Sequence, residues 1–179
     1  MSIRLLALSG SLRAASTNTR LLRALAEYAP LEVDISLYRG MGSLPIFNPD
    51  LEGRHTPQAV IDLAEKVQKA DGLVISCPEY AHGIPGGLKN ALDWLVSREE
   101  IVFKPVLVVH ASHRGDNVLA ALGEVLKTIS ADVMAGEMLR VPLLGRKPAE
   151  IEAVLEDPPI IAAMERALSA FADYIRSRS

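Results

Sequence analysis

The sequence predicts an α/β domain built on a parallel sheet with helices covering both faces. Three observations carry that prediction. Strand-like apolar runs and helix-like amphipathic segments alternate strictly along the chain, which is the order of successive crossover units. One of the runs, Gly72 to Ser76, is short and continuously apolar, as a strand buried on both faces requires. Three polar loops, at 9–18, 77–87 and 111–117, follow the first, third and fourth strands, so the topology lines them up along one rim.

The first run, Leu5-Leu6-Ala7-Leu8, leads through a loop dense in hydroxyls into a helix with Leu21, Leu22, Leu25 and Ala29 inward. Pro30 ends that helix, and the alternation from Leu31 to Leu37 makes the second strand. Residues 38–56, with Pro45, Asn48-Pro49 and Gly53, read as a long surface loop. Thr56-Pro57 supplies a cap and a first-position proline for a helix burying Val60, Leu63, Ala64 and Val67. After the third strand at Gly72 to Ser76, Leu88, Ala91, Leu92 and Leu95 recur at i, i+3, i+4 and i+7 on a third helix. Strand four is Lys104 to His110, and Val118, Leu122, Val125, Leu126 and Ile129 define the helix beyond it. The fifth strand is placed at Asp132 to Val141, with Gly136 interrupting it. A short helix over 148–155 and a last one, opened by Pro158-Pro159 and burying Ile161, Met164, Leu168, Phe171 and Ile175, complete one domain over residues 1–179.

Composition narrows the function. The chain is 49% hydrophobic and 23% charged, which suits a folded core and argues against disorder. Its 19 Lys+Arg and 22 Asp+Glu give a net charge of −3 without a basic block, so neither nucleic acid nor an anionic membrane is the expected partner. A small molecule is. Cys77 is the sole cysteine, so no internal disulfide forms, and the chain enters its first strand with no leader-like segment ahead of it. The expected location is the cytoplasm.

The first loop has the chemistry of an anion site. A buried strand feeding a helix N-terminus presents free backbone N–H groups and the positive end of the helix dipole. Ser9, Ser11, Ser16 and Thr17 add hydroxyls, Asn18 an amide and Arg13 a charged fork, a donor set suited to a phosphate monoester. The same composition also suits a plain capped and solvated loop, and on residues alone the two readings stand level. The sequence holds no G-x-x-x-x-G-K-[ST], no G-x-G-x-x-G and no G-x-S-x-G. His55, His82, His110 and His113 lack metal-ligand spacing, so no metal residue and no catalytic side chain is assigned. In the second loop, Pro78 and Pro85 stiffen the chain while Gly83, Gly86 and Gly87 admit close backbone approach. Tyr80 offers a flat wall for a heterocycle. Reactivity in such a site belongs to a cofactor.

The runs L-S-G-S-L-R-x-x-S-x-N (Leu8 to Asn18) and P-E-Y-x-x-G-I-P-G-x-L-K-N-A-L-D-W (Pro78 to Trp94) resemble the NADPH-dependent FMN reductase family, which includes quinone, azo-dye and chromate reductases. The resemblance implies a flavodoxin-like, doubly wound five-stranded sheet in the order 2-1-3-4-5. It implies noncovalent FMN, with NADPH or NADH as co-substrate. By position, Ser9, Ser11, Arg13, Ser16, Thr17 and Asn18 would hold the phosphate. Pro78, Glu79, Tyr80 and Ala81 would run along the isoalloxazine ring, and Ser112 and Arg114 would close its other edge. Many members carry Asn where this chain has Ala81, and the third loop lacks the glycine-rich run of relatives. The implied reaction passes hydride from NAD(P)H through flavin N5 to a quinone, free flavin, azo compound or chromate, in a homodimer or homotetramer with the flavin near an interface.

Individual residues have simpler readings beside these. Arg114 is an alternative grip for the 2′-phosphate of NADPH, His82 and His113 read as solvated loop residues, and Cys77 as a small core residue. Lys89, Asn90, Asp93 and Trp94 read as helix-surface or interface positions. Two rival functions are an FMN-binding electron carrier of the flavodoxin type and a nucleotide-binding module without flavin. Carriers are typically strongly acidic for docking, which −3 is not.

Overall fold

The computed structural model describes residues 2–136 and 138–178. Strands β1 (Ile3–Ser9), β2 (Val33–Leu37), β3 (Gly72–Ser76), β4 (Pro105–Val108) and β5 (Asp132–Val133) form one all-parallel sheet in the order β2-β1-β3-β4-β5. Helices α1 (Thr17–Glu27), α2 (Gln58–Lys69), α3 (Gly86–Leu95), α4 (Asp116–Thr128), α5 (Pro148–Leu155) and α6 (Pro158–Arg176) cover it. This is the flavodoxin-like arrangement the motifs imply.

The continuous apolar runs have a direct structural cause. In β1, Leu6 and Leu8 point into a core shared with α2, α3 and α4, while Ile3, Leu5 and Ala7 point into one shared with α1, α5 and α6. Leu73 and Ile75 of β3 take the first face and Val74 the second. A strand with a core on each side cannot alternate in polarity. β1 and β3 pair with Leu8 opposite Ile75 and Ser9 opposite Ser76, so their carboxyl ends finish level and release the first two polar loops side by side.

Several sequence expectations are corrected. The fifth strand pairs only at Asp132 and Val133, not as far as Val141. Gly136, at φ 134°, turns the chain away, and the run rejoins the sheet through a lone bridge between His110 and Arg140; Glu137 lies outside the described residues. The second strand starts at Val33, and Leu31 is fully exposed. Thr56 does not cap α2: its hydroxyl donates back to Gly53 O at 2.8 Å, and Pro57, with extended backbone, takes the cap position.

Residues 38–56 form a surface excursion with three short 3-10 turns, and it is fastened inward by Tyr38, Met41 and Leu44, all buried. Its anchor is α3. Asn90 Nδ2 and Trp94 Nε1 both donate to Pro45 O, at 2.9 and 2.7 Å, and Asn90 Oδ1 accepts the Phe47 N–H at 2.8 Å. Trp94 is therefore a core residue, 1% exposed, with Phe47 edge-on to its ring at 5.0 Å, and not a surface position. Cys77 is buried in the same core, and burial pushes its thiol up to about 12.

Candidate functional site

At the carboxyl ends of β1, β3 and β4 the three polar loops enclose a cavity of about 680 Å³, within the usual range of small-molecule sites. Two further cavities, of about 760 and 800 Å³, lie at the opposite end of the sheet around Phe103 to Pro105 and contain none of the expected residues.

The first loop wraps the N-terminus of α1. Ser16 is its cap: the hydroxyl oxygen accepts the Thr19 N–H at 3.2 Å, which leaves the O–H proton to donate elsewhere. The first turn of α1 contains no acidic residue, so nothing there offsets the positive end of the helix. Ser11, Arg13, Ser16, Thr17 and Asn18 all line the cavity. Ser9 does not. Its hydroxyl lies 2.7 Å from Thr19 Oγ1 and also takes up the backbone of Ser11, so it braces the loop from beneath. The Asn18 side chain accepts from Ser76 Oγ at 2.9 Å, tying α1 to the end of β3.

In the second loop Pro78, Glu79 and Tyr80 line the cavity, with Tyr80 half exposed. Tyr80 and Gly83 exchange backbone hydrogen bonds of 3.2 and 2.9 Å around a turn in which Ala81 and His82 sit at φ 48° and 61°. Both are left-handed residues with a Cβ, a conformation that Asn or Gly adopts at lower cost. Ala81 itself is exposed and lies outside the lining. The turn is pinned to α4 by Glu79, whose carboxylate accepts the Val118 N–H at 3.0 Å and approaches His82 Nδ1 at 3.2 Å. The Val118 N–H, more than any other partner, holds the Glu79 carboxyl below its ordinary range.

The third loop brings Ser112 and Arg114 to the lining, with Ser112 Oγ accepting the Arg114 N–H at 3.0 Å. His113 is exposed, as is His82. The loop is held by a residue that sequence reasoning left unassigned. His110, 2% exposed just beyond β4, meets Arg114 O through Nε2 at 2.5 Å, and burial lowers its pKa from the ordinary value. The sequence also gave no sign of the last wall. Leu144, Gly145, Arg146, Pro148, Ile151 and Glu152 close the cavity from the segment around α5, and Arg20 on α1 pairs with Glu152 across it. Arg20 follows Ser16 by one helical turn, a spacing that places the two on one face; Glu152 is distant in sequence and carries no such signal.

The described residues contain no group of three or more His, Cys, Asp and Glu placed to hold a metal, and no helix long and apolar enough to cross a membrane. The cavity supplies hydroxyl, amide and guanidinium donors at one end and a proline-stiffened wall with a tyrosine at the other.

Comparison with known proteins finds relatives by sequence and by fold. The family profile described as NADPH-dependent FMN reductase matches residues 3–141. A quinone reductase from Escherichia coli K12 is 36% identical over 113 residues, which span 62% of this chain and 60% of that protein. The NADH:(hydroxy)cinnamate reductase subunit CrdA of Vibrio ruber is 32% identical over 147 residues, covering 80% of this chain and 72% of the subunit. Among solved structures, the flavoenzyme NAD(P)H:(acceptor) oxidoreductase FerB of Paracoccus denitrificans has the same fold, with a TM-score of 0.83 at 24% identity over 98% of both chains. By its loops, its sheet order and these matches, the chain belongs to the NADPH-dependent FMN reductase family.

Proposed function

We propose that the chain is an FMN-dependent oxidoreductase that takes electrons from NADPH or NADH and delivers them to a small oxidant such as a quinone, free flavin, azo compound or chromate. What carries the reading is one cavity in which the donor-rich turn of α1 faces the Pro78 to Tyr80 wall, in a chain of this family.

The cavity fits FMN in size and in chemistry. Ser11, Arg13, Ser16 and Thr17, with the free N–H groups opening α1, would take the phosphate, and Asn18 fixes that turn to β3. Ser9 supports the same turn from below. Pro78, Glu79 and Tyr80 would flank the ring system, Ala81 would serve through the backbone of its turn, and Ser112 and Arg114 would meet the opposite edge. When bound, FMN supplies two-electron chemistry between a nicotinamide and a second acceptor. The protein's share is orientation: no side chain here needs to donate or remove a proton, and the ionised Glu79 keeps the second loop in register with α4.

The whole chain, 1–179, acts as one flavin-binding domain in this reading, located in the cytoplasm. Exposed Leu12 and Tyr80 on the site loops suit a homodimer or homotetramer.

The test is the visible spectrum of protein loaded with FMN and passed through gel filtration, before and after anaerobic NADPH or NADH. Retained flavin that bleaches supports the reading. Retained flavin that neither nucleotide bleaches marks an electron carrier, and absent flavin with no NAD(P)H oxidation in added FMN rejects flavin chemistry.

A further inference from the structure

Arg20 is the cavity group that the site as described leaves unexplained. It lies one turn into α1 beyond the Ser16 cap and lines the cavity, and its Nη2 donates to Glu152 Oε2 on α5. Its Nε is buried and has no hydrogen-bond partner among the described residues. An N–H removed from water and given no acceptor is a standing cost that native structures seldom carry without a reason. A guanidinium presents several donors in a fixed fork, so Glu152 can hold one nitrogen while Nε stays available to a second anion. The charges agree. Arg13, Arg20, Arg114 and Arg146 line the cavity against Glu79 and Glu152, and four positive charges less two negative leave two, which a phosphate dianion neutralises.

We propose that Arg20 is a phosphate-binding residue whose Nε–H completes the cradle begun by Ser11, Ser16 and Thr17, with Glu152 positioning the guanidinium. The inference rests on the flavin reading above. Its positioning partner, Glu152, lies past residue 141, where the family match ends. The ligand chemistry is a phosphate monoester, and in this cavity its source is FMN and not the nicotinamide nucleotide.

The experiment titrates FMN and riboflavin, which differ only by the phosphate, into the apoprotein at low salt and reads flavin fluorescence. In Arg20→Gln, FMN binding weakens about tenfold while riboflavin binding stays within about twofold, since one charge-assisted contact is lost and the ring contacts are kept. In Glu152→Gln an oxygen still holds Nη2 but a negative charge leaves the neighbourhood of the dianion, so FMN binds several-fold tighter, at roughly constant riboflavin affinity. Equal losses for both flavins in Arg20→Gln overturn the proposal and make Arg20 a brace for the wall. A changed preference between NADPH and NADH with both flavins unaffected also overturns it, by assigning Arg20 to the 2′-phosphate. Should the unaltered protein bind neither flavin, the flavin reading fails first and the Arg20 assignment with it.

Discussion

Gly10 and Cys77 meet at a separation that no side chain on residue 10 permits. A Cβ at Gly10 would overlap the Cβ of Cys77 and stand 3.0 Å from its Cα and 3.2 Å from Leu88 Cδ2, while the Gly10 N–H donates to Ser76 O at 2.8 Å. The first loop therefore leaves β1 pressed against the start of the second.

That contact makes Gly10→Ala a sensitive probe. The backbone of Cys77 cannot yield without shifting both loops, so overpacking here costs about 1–3 kcal/mol. Urea unfolding reads the loss, and on the proposed reading flavin affinity falls in the same variant because the first loop is displaced from the Pro78 to Tyr80 wall. A variant with unchanged midpoint and unchanged affinity contradicts the close apposition.

His110 predicts an acid-sensitive range. Its folded pKa lies below the ordinary 6.5, chiefly because the ring is buried. A group depressed in the folded state contributes stability in full above its unfolded value, and that contribution is lost as pH falls from about 6.5 toward the folded value. Denaturant midpoints should thus drop between pH 7.5 and 5.5, and the drop should shrink in His110→Gln, which cannot charge. An equal drop in both proteins rules out His110 as the cause.

Ala81 holds a left-handed conformation that its Cβ disfavours. Asparagine tolerates that region, so Ala81→Asn should stabilise the chain by about 0.5–1 kcal/mol, read from thermal or urea unfolding. Loss of stability on this substitution would show that the Tyr80 to Gly83 turn is held by something other than backbone preference.

Asn90 satisfies two backbone groups of the 38–56 excursion at once. Asn90→Ala leaves the half-buried Phe47 N–H without its acceptor and costs about 1–3 kcal/mol. Limited proteolysis should then cut first within 38–56; cleavage elsewhere, with this segment still resistant, speaks against the anchor.

The order of elements was legible because β1 and β3 are buried on both faces and their apolar runs have no other use. The end of the chain was less so. Leu139 to Val141 looks like strand because those residues do approach β4, yet Gly136 has already broken the ladder and leaves one bridge. Trp94, expected at the helix surface or an interface, is core, and its partner, Pro45 O, is a backbone oxygen that no residue pattern announces. Around the cavity, composition pointed to the donors of the first loop and to Tyr80, whereas Pro78, Glu79, Ser112 and Arg114 came from the resemblance of the motifs, and Ser9 and Ala81 lie outside the lining. Arg20 offered only a helical spacing to Ser16, and Glu152 offered nothing, since its place is set by how α5 packs against α1.

The two-residue length of β5 leaves one side of the cavity with little sheet behind it. β1 and β3 are hydrogen-bonded on both sides and sealed by core above and below, whereas the wall from Leu144 to Glu152 follows an edge strand paired at two positions and the bridge of Arg140 to His110. Amide hydrogen exchange should be slowest in β1 and β3 and faster across the exposed residues 144–148, which lie beyond the buried Val141 and Leu143. A ligand in the cavity would then have its least supported wall at 144–148, while the first loop stays fixed to a strand at the centre of the sheet.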